Sequence, residues 1–382
     1  MITVDRDMWT AETRRGDAGL AGLREQWEDL YARCGTASPF QAYSWLESWW
    51  HSYATPGTLR LVLVRHEGRL VAAAPFQLQR RTGCTVLTPL GGALADFTDV
   101  LAADDATRPA ARILAKALLL EPGWDAVDLP ESRPGAVTGT ALWESWPGGR
   151  WRCPASLCLE LPASPMEDLV RGLPPKTRKT VRRRLNQLDR AGIEVREVPA
   201  AGAGTAVAEL LRLHELQWRG RGINEHHLSP AFAGHLTRSV SGMLEAGQAA
   251  LLEYRIDGRL MASSLMLIGR DLVGGYLFGA DPALRERVDV STMLLSDTLP
   301  LAHRLGLPTM SMLRGAEEYK ARWQPREALN QRIILGRPRS LRAPLYATGV
   351  RARRAAVLAA KEHAPWLRDV RDRLRSLRGE PR

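Results

Sequence analysis

Two dipeptides constrain this chain more than any other feature. Glu67-Gly68 lies between apolar runs at 59–66 and 70–78, and Asp257-Gly258 lies between runs at 249–256 and 260–268. An acidic residue followed by glycine between apolar segments is a strong signal for a two-residue hairpin, whose central positions need positive φ. What surrounds the two hairpins is also alike. Helices are expected ahead of the first at 17–33 and from Ser38-Pro39 through Trp45, Trp49 and Trp50, with Ser38 as cap and Pro39 in the first turn. Helices at 176–191, 203–219 and 230–246, with a strand at 193–198, lead into the second. A helix at 107–120 and a strand at 124–129 follow the first hairpin. A strand at 272–279, a helix at 291–305 closed by Gly306 and Pro308, and strands at 309–313 and 331–335 follow the second. The pattern predicts an α/β (α+β) fold made of two copies of one unit, at about 1–160 and 161–336, with a basic tail over 337–382. The likeness is architectural and is not a repeat of residues.

The charge is unevenly placed. Net charge is +11, yet residues 337–382 hold 13 Lys and Arg against four Asp and Glu, and residues 176–184 add six basic residues and no acidic one. The remainder of the chain is slightly acidic. Basic appendages on an acidic body imply an anionic partner. No stretch approaches the roughly 20 apolar residues of a membrane helix, so no transmembrane segment is expected. Met1 to Asp7 alternate in charge without an apolar core, which argues against a secretory signal. Cys34, Cys84, Cys153 and Cys158 form no CxxC pair, as in a reduced, cytoplasmic protein. His226-His227 beside Glu225 lacks a third ligand at metal spacing, so no metal is expected.

The stretch Leu313-Arg314-Gly315-Ala316-Glu317-Glu318-Tyr319-Lys320-Ala321-Arg322-Trp323 puts an arginine, two glutamates, a tyrosine, a lysine and a tryptophan into one strand-to-helix turn. A turn made only for folding needs a glycine and a cap. This density marks a place where charge is handled, although Glu317 and Glu318 would also suit the first turn of a helix.

Ser38-Pro39-Phe40-Gln41, Trp45, Trp49-Trp50, Leu90-Gly91-Gly92 with Asp96-Phe97-Thr98-Asp99, Arg178 with Arg182-Arg183, Leu213-His214 with Trp218 and Gly222, and Leu313-Arg314-Gly315 with Glu317, Tyr319-Lys320 and Trp323 occur in an order and spacing that resembles one family. It is the GNAT-superfamily acetyltransferases of the CelD/BcsL (cellulose biosynthesis) type, relatives of the Fem-type aminoacyl transferases with their two tandem GNAT-like domains. The resemblance spans about 35–335. It implies N-acyl transfer, by default from acetyl-CoA or another acyl-CoA, to an amine. It also implies central strands that splay apart, here 260–268 and 272–279, and a helix start near Asp289 to Thr292 that holds the pyrophosphate on free N–H groups. Ser291, Thr292 and Arg285 are then the candidate cofactor contacts. Two departures stand out. The family's Ser-Pro-Gly before that helix is Asp289-Val290-Ser291 here, which adds a carboxylate that repels phosphate. The family's Asp-Phe-Leu-Arg-Gly is Ser311-Met312-Leu313-Arg314-Gly315, which removes a carboxylate.

Amide formation needs a base for the amine, a stabilised oxyanion and an acid for the leaving group. The candidates are Glu317 as base, Tyr319 as acid, and Arg314 or Lys320 to hold an oxyanion or an anionic group. Tyr276, Asp281, Trp218, Asp99 and Arg178 are the candidate substrate contacts, each with an ordinary folding role as the alternative. Direct attack is expected, because no Cys or Ser sits in a base-paired nucleophile motif. The expected acceptor is a small-molecule amine. Two other functions stay open: transfer from aminoacyl-tRNA, and a non-catalytic scaffold in a biosynthetic complex. For transfer from tRNA the basic 176–184 helix and the tail are the candidate tRNA contacts, and the tail arginines Arg351, Arg353, Arg354, Arg371, Arg373 and Arg375 would serve RNA or acidic lipid.

Overall fold

The structure, a computed structural model, describes residues 2–4, 8–16, 18–219, 225–315 and 317–363. Gly222, Ala316 and the arginines at 371, 373 and 375 lie outside the described residues. The first half runs β1 (Ile2–Val4), β2 (Trp9–Arg14), α1 (Arg24–Ala32), α2 (Tyr43–Tyr53), β3 (Leu59–His66), β4 (Arg69–Arg81), β5 (Cys84–Pro89), β6 (Leu101–Ala102), α3 (Thr107–Leu120), β7 (Ala126–Ser132), α4 (Trp143–Ser145) and β8 (Arg150–Pro162). The second runs α5 (Met166–Gly172), α6 (Pro175–Arg190), β9 (Glu194–Glu197), α7 (Ala203–Trp218), α8 (Pro230–Glu245), β10 (Ala249–Ile256), β11 (Arg259–Ile268), β12 (Leu272–Ala280), α9 (Pro282–Arg287), α10 (Val290–Arg304), β13 (Thr309–Arg314), α11 (Glu318–Ala321), β14 (Arg326–Gly336) and α12 (Arg342–His363).

Both expected hairpins are present and share one geometry. Glu67 and Gly68 take φ of 51° and 78°, and Asp257 and Gly258 take 50° and 75°. Positive φ at both central positions matches the twist of the flanking strands. Thr82 and Gly83 repeat the device between β4 and β5, with φ of 49° and 77°. The expected second helix breaks at Ala42, whose ψ of 142° is extended, so a short turn at Pro39–Gln41 precedes α2.

The strands form one sheet in the order β1-β2-β3-β4-β5-β7-β14-β8-β13-β12-β11-β10-β9, with β6 beside β4. Most neighbours are antiparallel, but β5 with β7 and β12 with β13 are parallel. The run β3-β4-β5-β7-β14 therefore mirrors β10-β11-β12-β13-β8. The duplicated outline is real, and it carries an exchange. β8, which closes the first half in sequence, pairs with β13 of the second; β14, which closes the second, pairs with β7 of the first. The two exchanged strands then pair with each other along most of their length.

α1, α2, α7 and α8 cover one face of this sheet in a single core that spans both halves, built around Trp27, Trp45, Phe40 and Phe232. On the opposite face α3 packs over the first half, and α5, α6 and α10 over the second. α6 buries Val181 and half-buries Leu185 and Leu188, as its spacing predicts, and turns its cations outward. Among the described residues no helix is long and apolar enough to cross a membrane.

Candidate active site

The cleft of this molecule opens where a parallel pair parts. β12 and β13 pair only over Leu272–Gly274 and Thr309–Ser311. Beyond that point each strand is bent. Between Leu265 and Met266 the β11–β12 register shifts, so Tyr276 stands as the extra residue of a bulge. On β13 the register to β8 shifts between Ser311 and Arg314. Leu313 there takes a φ of 54°, sparsely populated for a residue with a Cβ, and its N–H donates to the Ser311 hydroxyl at 3.1 Å. The resemblance puts the splay between 260–268 and 272–279. The structure corrects this: β11 and β12 stay paired to Ala280, and the gap lies one strand further on, where the pairing of β12 with β13 stops after Gly274 and Ser311.

A cavity of about 580 Å³ lies at this gap. It brings together Trp218 from α7, Tyr276 from β12, Arg285 and Ser291 at the α9–α10 junction, and Arg314, Glu317, Tyr319, Lys320 and Trp323 from the 313–323 stretch. Sequence reading did not single out Asp96, Gln217 or Ser264 as site residues, yet all three line the cavity too. Asp96 comes from the first half and lies 218 residues before its partner Arg314.

Arg314 is not an unengaged anion hook. Its Nε donates to Asp96 Oδ1 at 2.5 Å, its Nη1 lies 3.6 Å from Glu131, and its Nη2 donates to the Ala93 carbonyl at 3.0 Å. Although burial lowers it, these carboxylates hold the guanidinium above its usual pKa. Lys320 is only 4% exposed. Its ammonium donates to the carbonyls of Met312, Arg314 and Gly315 at 2.9, 3.3 and 3.2 Å and pairs with Glu317 at 2.8 Å. Lys320 thus ties the bent end of β13 to α11. Tyr319 is 40% exposed and lines the cavity. Burial, with Glu317 nearby, pushes its phenol up to about 12, so it keeps its proton through the neutral range. Tyr276 lines the cavity, its hydroxyl donating to the Leu94 carbonyl at 3.3 Å and its ring edge-on to Trp45.

The amino end of α10 is closed by the protein itself. Asp289 is its cap: Oδ1 accepts from the Thr292 N–H at 2.9 Å and from the Ser291 and Thr292 hydroxyls at 2.7 Å each. Arg184 and Arg322 both reach the same carboxylate at 3.2 Å. Burial pushes the carboxyl up, but the hydrogen bonds from Ser291 and Thr292 and the Arg184 charge outweigh it and hold it below the usual range. Val288 and Val290 are buried on either side. A pyrophosphate placed on this helix end would meet a carboxylate and two valine side chains, so the residues do not fit that group there. Ser291 and Thr292 spend their hydroxyls on Asp289, and Thr292 is fully buried.

Three further candidates lie outside the cavity lining. Asp99 is buried, and its carboxylate accepts from the Val100, Val137 and Thr138 N–H groups and from the Thr138 hydroxyl, so it caps the turn at 138–142. Asp281 caps α9 through the Ala283 N–H and pairs with Arg259 at 2.7 Å. Arg178 donates to the Leu173 carbonyl at 2.9 Å, closing the end of α5, and lines an open groove along α6 with Lys179, Arg182, Arg183 and Arg190. α6 meets the cavity mouth through the Arg184–Asp289 pair.

Comparison with known proteins bears on this geometry. Residues 175–321 match the family model described as an acetyltransferase (GNAT) domain. No curated protein matches the chain in sequence. Among solved structures it is similar to FemX at 11% identity and a TM-score of 0.60, covering 85% of this chain and 97% of that one. The C-terminal domain of a putative lysylphosphatidylglycerol synthetase from Agrobacterium fabrum gives 10% identity, a TM-score of 0.54, and coverage of 83% and 92%. L-PGS from Bacillus licheniformis gives 12%, 0.52, and coverage of 86% and 96%. At such identities the likeness is one of fold. The chain therefore folds as two units of like strand order that share one sheet, and the second matches an acetyltransferase (GNAT) domain over residues 175–321.

Proposed function

We propose that this chain is an amide-forming transferase that moves an acyl group from an aminoacyl ester carried on tRNA to an amine held in the β12–β13 cleft. One observation carries the choice of donor: Asp289 occupies the helix end on which a GNAT-type site would seat the pyrophosphate of CoA. The cations beside the mouth agree with it. Lys176, Lys179, Arg182, Arg183 and Arg190 are exposed along α6, a track for a phosphate backbone whose end would reach the cavity.

In the reaction the amine nitrogen attacks the ester carbonyl carbon. The C–N bond forms, the bond from carbon to the ribose oxygen breaks, and the amine loses a proton while the ribose oxygen gains one. Glu317 and Asp96 are the carboxylates at hand to accept the first proton, directly or through water. Tyr319, neutral through the physiological range, supplies the second. Lys320 and Arg314, already neutralised by carboxylates, hold the strand end in place and bias the local field.

A second reading, transfer from an acyl-CoA, is favoured by the match of residues 175–321 to an acetyltransferase domain and by the resemblance to the CelD/BcsL type. The two readings part in one assay. The full chain is offered a charged tRNA mixture or acetyl-CoA with a panel of small amines, with and without ribonuclease. The proposal expects amide product that ribonuclease abolishes, and no calorimetric binding of acetyl-CoA at about millimolar concentration. Turnover of acetyl-CoA that ribonuclease leaves intact would establish the second reading instead.

A further inference from the structure

α12 is short of charge on both of its faces. Ala343, Tyr346 and Ala347 bury one face against Cys84, Val86, Ala126 and Ile334 of the sheet, and Arg354 ties it to the Ala155 carbonyl. The opposite face carries Leu345, Thr348, Ala352, Ala355 and Ala359, which follow at intervals of three and four and therefore stand along one side of the helix. All are exposed. Leu341, one turn ahead of Leu345, is 85% exposed and Leu345 is 74% exposed, more than any other large apolar side chain among the described residues. A helix side turned to water is normally polar. The cations lie along the borders of this one. At about 100° per residue, Arg342 and Arg353 fall about a quarter turn to one side of the face and Arg351 about a quarter turn to the other. These three and Arg339 are exposed, and none pairs with a carboxylate among the described residues. No Asp or Glu occurs from 328 to 361.

The geometry points to α12 as a docking helix that lies flat on an anionic lipid surface. Leu341 and Leu345 enter the boundary between headgroups and acyl chains, and the arginines at the borders reach up along their own stems to the lipid phosphates. RNA fits this face less well, because its phosphates would meet leucine and alanine at the front. α6 has the opposite layout, with Lys179, Arg182, Arg183 and Arg190 forward and no exposed leucine between them. A second copy would set arginine borders against arginine borders. A partner helix would gain little beyond the two leucines, since the rest of the face is alanine, glycine and threonine. None of these α12 residues lines the β12–β13 cavity.

Cosedimentation of the full chain with vesicles tests this. Vesicles of phosphatidylcholine and phosphatidylglycerol in equal parts should bind the chain, and vesicles of phosphatidylcholine alone should not. Leu341→Ser with Leu345→Ser should weaken binding about tenfold or more, with melting unchanged because both side chains are exposed. Arg342→Gln with Arg353→Gln should weaken it about fivefold for each arginine, and added salt should weaken binding of the unaltered chain. Equal binding to both kinds of vesicle, or binding to neither, would overturn the inference. So would anionic binding that survives the leucine pair but is lost in Lys179→Gln with Arg182→Gln and Arg183→Gln on α6. A lipid-free dimer in sedimentation velocity that the leucine pair abolishes would assign the face to a second copy instead. Binding of tRNA that the leucine pair abolishes would assign it to RNA.

Discussion

Replacing Asp289 with glycine tests how the amino end of α10 is closed. The carboxylate caps the Thr292 N–H, and loss of a cap costs about 1 kcal/mol. It also receives Arg184 and Arg322, whose side chains are 27% and 21% exposed; partly exposed pairs of this kind contribute about 0–1 kcal/mol each. The Ser291 and Thr292 hydroxyls lose an acceptor but can turn to water or to an incoming anion. The sum is a destabilisation of about 1–3 kcal/mol, within what a folded chain of this size tolerates. In exchange the helix end regains unengaged N–H groups, a partial positive charge and two arginines without a carboxylate between them. Thermal melting of the variant with and without inorganic pyrophosphate reads both effects. Melting should start lower and rise with pyrophosphate, while the unaltered chain should not respond. By mass action, pyrophosphate at a hundred times its dissociation constant would restore about 2.7 kcal/mol, enough to offset the loss. A variant that ignores pyrophosphate would refute the view that Asp289 masks an anion seat. So would an unaltered chain that already binds CoA tightly.

Other outcomes follow from the same geometry. Tyr319→Phe should lower kcat by about 10²-fold or more with little change in melting, since the ring is largely kept and half in solvent; unchanged kcat would remove Tyr319 as the acid. Asp128 is fully buried and accepts from Arg332 at 2.8 and 2.5 Å, from Arg81 at 3.3 Å and from Tyr346 at 2.5 Å. Asp128→Ala should therefore cost about 3–5 kcal/mol and expose α12 to protease ahead of the sheet; equal protease resistance would show that Tyr346 alone holds the helix. His235 sits in the shared core, where burial and nearby Arg238 hold its pKa down at about 3. Because the folded pKa is depressed, the unfolded chain takes up the proton first. Stability should fall as pH drops from about 6.5 toward 3, losing about 2 kcal/mol by pH 5 from this group, and His235→Gln should flatten that slope in urea titrations.

Local rules made much of the fold legible, and distance hid the rest. The hairpins at 67–68 and 257–258 are written in two residues each, and α3, α7, α8 and α10 show their helical spacing plainly. β8 is a 13-residue strand at the centre of the sheet, and its residues do not announce it. Pro154 falls inside it, where a proline normally argues against a central strand. The structure accommodates Pro154 opposite Gln331, next to a register shift in β14. The site divides in the same way. The 313–323 stretch was visible because its charges are adjacent in sequence. Asp96 and Gln217 were not, because a carboxylate in a loop and an amide on a helix acquire meaning only from what lies across the gap. The glycine-less start of α10 was readable as a departure, but only the geometry shows its carboxylate held by two hydroxyls and two arginines.

The exchange of β8 and β14 sets a timetable for synthesis. When residue 162 leaves the ribosome, β7 has an open edge, because the strand that covers it begins at Arg326. β8 is already made but waits for β13, nearly 150 residues later, as its partner. The nascent first half must therefore carry the open β7 edge and both edges of β8 until almost the whole chain has emerged, a state in which edge pairing with a neighbouring nascent chain competes with completion. Truncation anywhere between the two exchanged strands should release an aggregation-prone product and no stable single unit.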